Sequence, residues 1–465
     1  MRGVNRVVII GGGPGGYESA LVAAQLGAEV TVVESAGLGG SAVLTDCVPS
    51  KTLIATAELM ADMEEAAELG IRFPGTDSAD DVPVADLGLV NTRVKNLAHA
   101  QSQDIERRLS RDGVRFVRGR GRLDGPNRVV ADLAEGGQQT LDADAVLLAT
   151  GASPRIQESA RPDGERILTW EQVYDLDEVP ERLIVVGSGV TGAEFASAYN
   201  ALGVDVVLVS SREHVLPGED PDAAEVIEEV FARRGMTVLS KSRMASATRS
   251  GDTVTVTLTD GRTVQGSHCL LAVGSVPNTA GLGLEDAGVE VGERGFIRVD
   301  RVSRTSARSV YAAGDCTGVL MLASVAAMQG RIAMWHFLGD AVNPLDLGTV
   351  SSNVFTSPEI ATVGWSQDAV NAGRIEADVV TLPLAGNARA KMQGVREGFV
   401  KLFARPGTGI VVGGVVVAPR ASELIHPVAI AVAENLTADQ LAQAFTVYPS
   451  MSGSLAEAAR RLHRV

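Results

Sequence analysis

At 465 residues, the chain is longer than the roughly 250 to 300 residues that one hydrophobic core supports, so several domains are expected. Its composition, 45% hydrophobic and 4% aromatic with 51 glycines, is typical of a soluble, turn-rich α/β protein and excludes a small disulfide-stapled fold. A net charge of −16 repels phosphate backbones and anionic lipid, so nucleic acid is not expected as a partner.

The first predicted element is a buried strand, residues 6–10, because an apolar run there leads into a glycine-rich turn. The run is too short for the core of a signal peptide. A helical pattern at residues 17–26 and a second apolar strand at residues 29–34 follow. The glycine-rich turn contains Gly11, Gly13, Pro14, Gly15 and Gly16.

The same order of elements returns in the middle of the chain. A strand at residues 183–186 precedes Gly187, Gly189 and Gly192, then a helical pattern at residues 193–202 and a strand at residues 205–210. In each copy, 18 positions separate the last glycine of the turn from the end of the second strand. This repeat predicts an α/β fold with two Rossmann-like dinucleotide-binding domains.

The glycines suit a bound pyrophosphate. The first permits the tight turn, the second lets a phosphate approach the backbone, and the third allows helix and strand to pack closely. The helix then presents unpaired N–H groups and a partial positive charge to the phosphates. One such motif also fits an ordinary glycine turn, but two copies at matched spacing favour nucleotide binding.

The remaining segments divide into strand signals and a third region. Residues 145–151 form a buried strand ending in Thr150 and Gly151, and residues 310–315 form another ending in Gly314 and Asp315. Residues 253–258 alternate at period two and precede Asp260-Gly261, which predicts a hairpin. From about residue 350 the chain becomes strand-rich and then helical, without a glycine fingerprint.

Three cysteines, Cys47, Cys269 and Cys316, are too scattered for a disulfide framework or a pair of zinc ligands. We therefore expect no metal site and a reducing, cytoplasmic environment. The strongest later apolar stretch, residues 409–418, is far shorter than the about 20 residues of a transmembrane helix. No membrane span is expected.

Several short motifs resemble one family, the pyridine nucleotide-disulfide oxidoreductases, which include lipoamide dehydrogenase and glutathione reductase. The motifs are Gly15-Gly16-Tyr17, Gly39-Gly40, Cys47-Val48-Pro49-Ser50-Lys51 and residues 354–364, together with the strand ends at Thr150-Gly151 and Gly314-Asp315. The resemblance implies an FAD-binding domain at residues 1–152 and 276–344, an NAD(P)-binding domain at 153–275, and an α+β dimerisation domain at 345–465. It also implies a homodimer.

The resemblance implies roles for individual residues. Glu34 would accept hydrogen bonds from the FAD ribose, and Asp315 would bind the ribityl or pyrophosphate region. Lys51 would lie beside the flavin and pair with Glu194, although sequence leaves open that the two are surface charges that never meet. Gly274 precedes Ser275, where relatives carry arginine, so one polar contact between domains is in doubt.

The chain departs from the family at its disulfide site. Cys47 holds the position of the flavin-proximal cysteine, but Ala42 replaces the second cysteine. Tyr448 replaces the histidine base and Gly453 the glutamate that orients it. Tyrosine, whose side chain ordinarily titrates at a pKa of about 10, cannot act as that base near neutral pH.

Three further features near these departures need an interpretation. His426-Pro427 is interpreted as the start of a helix rather than as a substitute base. Cys47 either tunes the flavin as a thiol or is a small buried side chain. Tyr448 either lines the acceptor pocket of the neighbouring subunit or packs in the dimer.

These departures predict an NAD(P)H:quinone oxidoreductase. Hydride transfer from nicotinamide to FAD needs neither the cysteine pair nor the histidine, and a flat quinone could accept the electrons. The alternatives are a soluble pyridine nucleotide transhydrogenase and a non-catalytic flavin-binding component of a complex. Intact Lys51 and Glu194 argue against the non-catalytic alternative.

The residues at the end of the second copy predict which nicotinamide nucleotide donates the electrons. Ser210 takes the place that Glu34 holds in the first copy, and Ser210-Ser211-Arg212 offers two hydroxyls and a guanidinium. Such groups bind a phosphate, whereas a carboxylate binds the 2′-hydroxyl of NADH and repels a 2′-phosphate. NADPH is therefore expected to be accepted and preferred over NADH, unless Arg212 is only a solvated loop charge.

Overall fold

A computed structural model describes residues 4–71 and 84–463. The α-helices of these residues are, in chain order, α1 Pro14–Gln25, α2 Gly40–Leu44, α3 Cys47–Glu65, α4 Leu87–Arg111, α5 Val190–Ala201, α6 Pro221–Arg233, α7 Ala323–Leu338, α8 Gln367–Asn371, α9 Ala388–Met392, α10 Ala421–Leu424, α11 His426–Ala433, α12 Ala438–Gln443 and α13 Gly453–Arg461. Short 3-10 turns lie at Ala66–Leu69, Val173–Asp175, Asp315–Thr317, Leu347–Thr349 and Leu384–Gly386.

The strands are, in chain order, β1 Arg6–Ile10, β2 Glu29–Glu34, β3 Arg115–Leu123, β4 Arg128–Leu133, β5 Gln138–Asp142, β6 Ala145–Leu148, β7 Ala152–Pro154, β8 Ile167–Thr169, β9 Arg182–Val186, β10 Asp205–Val209, β11 Thr237–Leu239, β12 Met244–Ser250, β13 Thr253–Leu258, β14 Thr263–Gly266, β15 His268–Leu271, β16 Ser275–Pro277, β17 Val310–Ala312, β18 Ser351–Val354, β19 Glu359–Gly364, β20 Asp378–Pro383, β21 Phe399–Ala404 and β22 Val411–Ala418.

The chain forms two compact units. The first comprises Met1–Thr52, Asn91–Arg155 and Val273–Asp346, and the second comprises Leu53–Val90, Ile156–Ala272 and Leu347–Val465. The unit breaks at residues 155, 272 and 346 lie beside the domain breaks expected at 152, 275 and 344. The four-segment division itself stays a prediction.

The first unit is built on a seven-stranded sheet in the order β17-β6-β1-β2-β3-β4-β5. The strands from β17 to β3 pair in parallel, and β3, β4 and β5 pair antiparallel. Both faces of the parallel part are covered, which explains its continuous apolar runs. Ile9 packs on one face with Ala20 of α1 and Ala333 of α7, while Ile10 packs on the other with Leu123.

The second unit contains a parallel sheet in the order β11-β10-β9-β15-β8, which carries the second copy of the repeat. The predicted hairpin is confirmed: β13 pairs antiparallel with β14, and Gly261 takes a φ of 88° in the turn between them. Such a positive φ is readily available only to glycine.

The same unit also contains an antiparallel sheet in the order β18-β19-β22-β21-β20. All eight residues of β22 are buried, and apolar residues of α11 and α13 pack in the same core. The α/β fold with two dinucleotide-binding βαβ units and a C-terminal α+β region is thus confirmed.

The observed helices refine the predicted ones. Helices α1 and α5 begin at Pro14 and Val190, three residues earlier than the patterns at 17–26 and 193–202 indicated, because the glycine turn itself enters each helix. The helix start predicted at His426-Pro427 is confirmed, since α11 begins at His426 with the proline in its first turn. Among the described residues, no helix has both the length and the apolarity that a bilayer span requires.

Candidate nucleotide-binding sites

The first glycine turn leaves no room for side chains at two positions. Gly11 has a φ of 105°, and a Cβ there would collide with the carbonyl oxygen of Ala149 at the end of β6. A Cβ on Gly16 would collide with the carbonyl oxygen of Gly11. The turn therefore lies tightly against the sheet, which brings the start of α1 to the carboxyl end of the strands.

The N-terminus of α1 fits a pyrophosphate. Its N-cap is Gly13, and no side chain of the described residues caps it, so no side chain blocks an anion from the positive end of the helix. A Cβ on Gly13 would meet only the Cα of Gly40, at 3.9 Å, among the described atoms, so the approach to the backbone is open. The Gly11 to Gly16 turn can thus hold a diphosphate.

Glu34, the last residue of β2, has a fixed carboxylate. Its Oε2 accepts a hydrogen bond from the backbone N–H of Gly12 at 2.6 Å, and its Oε1 accepts one from Ala36 at 2.6 Å. Because a carboxylate has about four lone-pair positions, acceptor capacity remains for ribose hydroxyls. The geometry fits the role that the resemblance implied.

Two strand ends meet beside this turn. Thr150 donates from its hydroxyl to the carbonyl of Asn278 at 2.7 Å, and the Asn278 amide returns a bond to the Thr150 carbonyl at 3.0 Å. Gly151, which follows, has a φ of 67°. The N–H of Gly314 donates to Gln329 Oε1 at 2.9 Å.

Asp315, next to Gly314, is half-buried. Burial, and secondly the negative charge of Asp46, raise the pKa of Asp315 to about 6. Asp46, which immediately precedes Cys47, was missed by the sequence reasoning, although its acidic character beside the Cys47 motif was visible there.

Gly274 lies outside this cluster, in the segment that returns to the first unit. Its carbonyl accepts from the N–H of Arg155 at 2.9 Å, and the carbonyl of Ser275 accepts from the Arg155 guanidinium at 3.2 Å. Arg155 thus contributes a polar link within the first unit beside the position where relatives carry an arginine.

The three cysteines, all within the described residues, form no disulfide. Cys47, the first residue of α3, is half-buried, and Ala42 lies on the preceding helix α2. Cys316 and Cys269 are fully buried, and burial raises their pKa values to about 11 and about 12, respectively. Both behave as core residues. Lys51 lies one turn after Cys47 on α3, and its pairing with Glu194 stays a prediction.

The second glycine turn repeats the geometry of the first. Gly187 has a φ of 111°, and a Cβ there would collide with the carbonyl oxygen of Ala272. A Cβ on Gly192 would collide with the carbonyl oxygen of Gly187. Helix α5 starts from Gly189, which no described side chain caps and whose Cβ position has no described atom within 4 Å, so this turn also fits a diphosphate.

Glu194, on the second turn of α5, is only 3% exposed. Its Oε1 accepts the backbone N–H of Phe355 at 2.9 Å, and Ser197, one turn later, accepts that of Ser357 at 3.2 Å. Glu194 is therefore not a surface charge, and it connects α5 to the 354–364 motif within the second unit.

Ser210, which was expected from the sequence to offer its hydroxyl to a phosphate, is bonded inside the fold, and its contact with a nucleotide stays a prediction. Ser210 is fully buried, its Oγ lies 2.7 Å from Ser188 Oγ, and it accepts the N–H of Arg212 at 3.1 Å. Ser211 and Arg212 are exposed. The sequence signal that was missed is Ser188, which occupies the position of Gly12 in the first copy.

Tyr448 lies in the C-terminal segment before α13 and is 86% exposed. Its apolar neighbours Phe445 and Val447 are also largely exposed. Gly453, in the place of the orienting glutamate, is the first residue of α13. The role of Tyr448 at an acceptor pocket stays a prediction.

Two family models match the chain. The model described as pyridine nucleotide-disulphide oxidoreductase matches residues 5–330. The model described as the dimerisation domain of pyridine nucleotide-disulphide oxidoreductases matches residues 350–459, which contain the antiparallel sheet of the second unit.

Individual proteins are similar over nearly the whole chain. An NAD(P)H dehydrogenase (quinone) of Mycobacterium tuberculosis is 56% identical over 468 positions, which cover 99% of this chain and 94% of that protein. A dihydrolipoyl dehydrogenase of Chlorobaculum parvum is 33% identical, with 97% of this chain and 96% of that protein covered. The crystal structure of LpdA from Mycobacterium tuberculosis is 56% identical, with a TM-score of 0.94, and covers 99% of this chain and 100% of that chain.

Proposed function

Because the chain belongs to the pyridine nucleotide-disulphide oxidoreductase family, we propose that it is an FAD-dependent NAD(P)H:quinone oxidoreductase without disulfide reductase activity. The family uses FAD and NAD(P)H, and the two glycine turns fit the diphosphates of these nucleotides. The relative at 56% identity carries the name of this activity. The resemblance drawn from short motifs is confirmed by the family match.

The observation that carries the proposal is that the chain holds no second cysteine suited to exchange with Cys47. Thiol–disulfide exchange needs a second sulfur that can form a disulfide with the first. The other two cysteines of the sequence, Cys269 and Cys316, are fully buried, and Ala42 has no sulfur. An acceptor that takes electrons without forming a bond to sulfur, such as a quinone, is compatible with this arrangement.

Bound FAD would supply the redox chemistry, accepting a hydride from the nicotinamide and releasing electrons to the acceptor. The chain's own residues would bind the two nucleotides and orient them. The N-termini of α1 and α5 hold the two diphosphates, and Glu34 holds the FAD ribose. We assign Lys51 and Glu194 to positioning at the nicotinamide, with buried Glu194 fixed by the N–H of Phe355.

For the donor we propose that NADPH is preferred and NADH is also used. Ser211 and Arg212 are exposed directly after β10, where a nucleotide bound at α5 places its adenosine ribose. A guanidinium binds a phosphate through two parallel hydrogen bonds. Arg212→Ala is expected to raise the KM for NADPH selectively.

We further propose a homodimer in the cytoplasm. The dimerisation-domain match supports the dimer, as does the apolar, exposed run that contains Phe445, Val447 and Tyr448. In that dimer, Tyr448 would lie at the acceptor pocket of the partner. Three cysteines that form no disulfide are compatible with a reducing compartment.

The test is anaerobic reduction of the FAD-loaded protein by NADPH, followed by separate additions of benzoquinone, lipoamide, glutathione disulfide and thio-NAD. We expect rapid reoxidation by benzoquinone and none by the two disulfides. Reoxidation by lipoamide or glutathione disulfide alone would overturn the proposal. Rapid reoxidation by thio-NAD without benzoquinone would indicate a transhydrogenase, and bound FAD that NADPH fails to reduce would indicate a binding component.

A further inference from the structure

The loop after β10 exposes a small group of charges. The hydroxyl of Ser210 is occupied inside the fold by Ser188, so the groups that reach solvent are those of Ser211, Arg212, Glu213 and His214. The ring of His214 lies 3.3 Å from Glu228 Oε2. This loop begins at the end of the second strand of a nucleotide-binding βαβ unit, where the adenosine ribose of a dinucleotide lies. A dinucleotide bound at α5 would therefore bring the 2′ position of that ribose close to these charges.

The loop is held firmly in place. The N–H of Leu216 donates to the carbonyl of Ser188 at 2.8 Å, and the N–H of Val215 donates to Glu228 Oε1 at 2.6 Å. The side chains of Val215 and Leu216 are both buried. Leu216 has a φ of 52°, an uncommon conformation for a side chain of this size, which the surrounding contacts maintain. Ser211 to Glu213 are thus presented on a preorganised loop.

Lys241, just after β11, joins this group. Its backbone N–H donates to the carbonyl of Arg212 at 2.7 Å, and its own φ is 52°. Its Nζ lies 2.6 Å from Glu213 Oε1, with the two side chains 68% and 63% exposed. The lysine side chain, through its hydrogen bond and its charge, holds the pKa of Glu213 below its ordinary value. Two cations and one carboxylate are therefore gathered at the end of β10.

An exposed lysine–carboxylate pair is weak, because water screens it and both side chains lose freedom. A phosphate dianion offers Lys241 a doubly charged partner with three acceptor oxygens, so it competes well with Glu213. A ribose 2′-hydroxyl has no charge and leaves the pair intact. The same three residues thus distinguish a nucleotide with a 2′-phosphate from one without it.

We propose that Lys241 is a second cation of the 2′-phosphate site, binding NADPH together with Arg212, and that Glu213 is the counter-ion which holds Lys241 when NADH is bound. This inference rests on the proposed function, since it takes the nicotinamide nucleotide to bind at α5. Nucleotide choice is then set by the balance between one negative charge, on Glu213, and two positive charges, on Arg212 and Lys241. Ser210 does not set it.

The test uses the FAD-loaded protein and two probes, 2′,5′-ADP and 5′-AMP, titrated by calorimetry at low ionic strength. Lys241→Met is expected to weaken 2′,5′-ADP about tenfold and 5′-AMP less than about twofold, because only the phosphate contact is lost. Glu213→Gln is expected to tighten 2′,5′-ADP about threefold, because it releases Lys241 and removes a repelling charge. Lys391→Met, an exposed lysine on α9, is the matched control and should change neither.

The outcomes separate this inference from the proposed function. Unchanged 2′,5′-ADP binding in Lys241→Met would overturn the inference, as would an equal loss for both probes, which indicates a merely structural role. Failure of Glu213→Gln to tighten 2′,5′-ADP would overturn the counter-ion role. If the FAD-loaded wild type binds neither probe, the proposed function fails instead.

Discussion

The two βαβ units of the chain share a framework and differ at one corner. In the register of the two parallel strands, Arg6 lies opposite Glu29 in the first unit and Arg182 lies opposite Asp205 in the second. Both units therefore have the same strand register. Each has a glycine without a capping side chain at the helix N-terminus. At the end of the second strand, however, Glu34 accepts the N–H of Gly12 in the first unit, whereas Ser210 is bonded to Ser188 in the second.

This difference indicates that the residue after the first glycine of the turn and the residue at the end of the second strand are matched to each other in size. A Cβ on Gly12 would come within 2.8 Å of Leu38 and 3.2 Å of Glu34 Oε2, so the glycine makes room for the carboxylate. In the second unit Ser188 fills that room, and only a short side chain fits opposite it. The glycine turn that fits a diphosphate is thus common to both units, whereas the pair at the strand end differs between them and sets the shape of the loop that, on our proposal, selects the nucleotide.

The largest expected effect comes from placing a carboxylate at the N-cap of each helix. Gly13 and Gly189 have extended backbone conformations (φ −68° and −72°) that aspartate adopts readily as an N-cap, so both helices should fold. The new carboxylate would occupy the position of the diphosphate and repel this anion. We expect Gly13→Asp to weaken FAD binding roughly a thousandfold and to purify without yellow colour.

Gly189→Asp should keep its FAD, measured from the absorbance of the bound flavin, but lose reduction by NADPH. Gly13→Ala and Gly189→Ala are the controls for added volume without charge. Loss of FAD from Gly189→Asp would contradict the assignment of one nucleotide to each unit.

A second comparison concerns one ion pair in each of the two compact units. In the second unit, Lys401 of β21 lies 2.8 Å from both carboxylate oxygens of Asp220, the N-cap of α6, and both side chains are 1% exposed. In the first unit, Arg331 of α7 pairs with Glu18 of α1 at 3.0 Å and stays partly exposed. Lys401→Met leaves a buried carboxylate without its cation and should cost about 3–5 kcal/mol, whereas Arg331→Met should cost about 1 kcal/mol or less.

Thermal unfolding of the two variants beside the wild type checks this prediction. FAD content, measured first, shows that each variant is folded at the starting temperature. Equal decreases in Tm would contradict the distinction between the buried and the exposed pair.

The matched pair at the strand end predicts a smaller, specific effect. Ser210→Glu alone should weaken NADPH without creating a preference for NADH, because the carboxylate meets the side chain of Ser188. The double variant Ser188→Gly with Ser210→Glu recreates the arrangement of Gly12 and Glu34 and should shift the NADH/NADPH ratio of kcat/KM about tenfold toward NADH. Steady-state kinetics of both single variants and the double variant give the coupling. A shift in Ser210→Glu as large as in the double variant would show that the two positions are independent.

The sequence was sufficient for the features that depend on local pattern. Glycine spacing and apolar runs predicted both βαβ units, and alternation with Asp260-Gly261 predicted the β13–β14 hairpin. Features that depend on tertiary contact were not predictable. The Ser188–Ser210 bond joins residues 22 positions apart, and the Lys401–Asp220 pair joins residues 181 apart. The raised pKa of Asp315 likewise depends on burial, which no spacing reports.

The smallest expected effect lies at the opposite, amino end of the two parallel sheets. There, Asp144 pairs with Arg6 in the first unit, whereas Ser267 accepts the N–H of Arg182 in the second and His268 follows it. Burial, then the charges of Arg166 and Arg249, lower the pKa of His268 to about 4, and Asp163 opposes them only in part. The folded protein therefore holds fewer protons on this ring than the unfolded chain between about pH 4 and 6.5.

The stability that neutral His268 provides is full above about pH 6.5 and is lost as the pH falls toward about 4. His268→Gln, which has no titrating ring, should lose less Tm than the wild type between about pH 7 and 5, by about 1–2 °C. Because His268 lies at the amino end of β15, opposite to the glycine turn that follows β9, the affinity for 2′,5′-ADP at neutral pH should stay the same in the variant. A changed affinity would mean that nucleotide selection extends beyond the carboxyl end of β10, and identical Tm profiles would mean that His268 titrates normally.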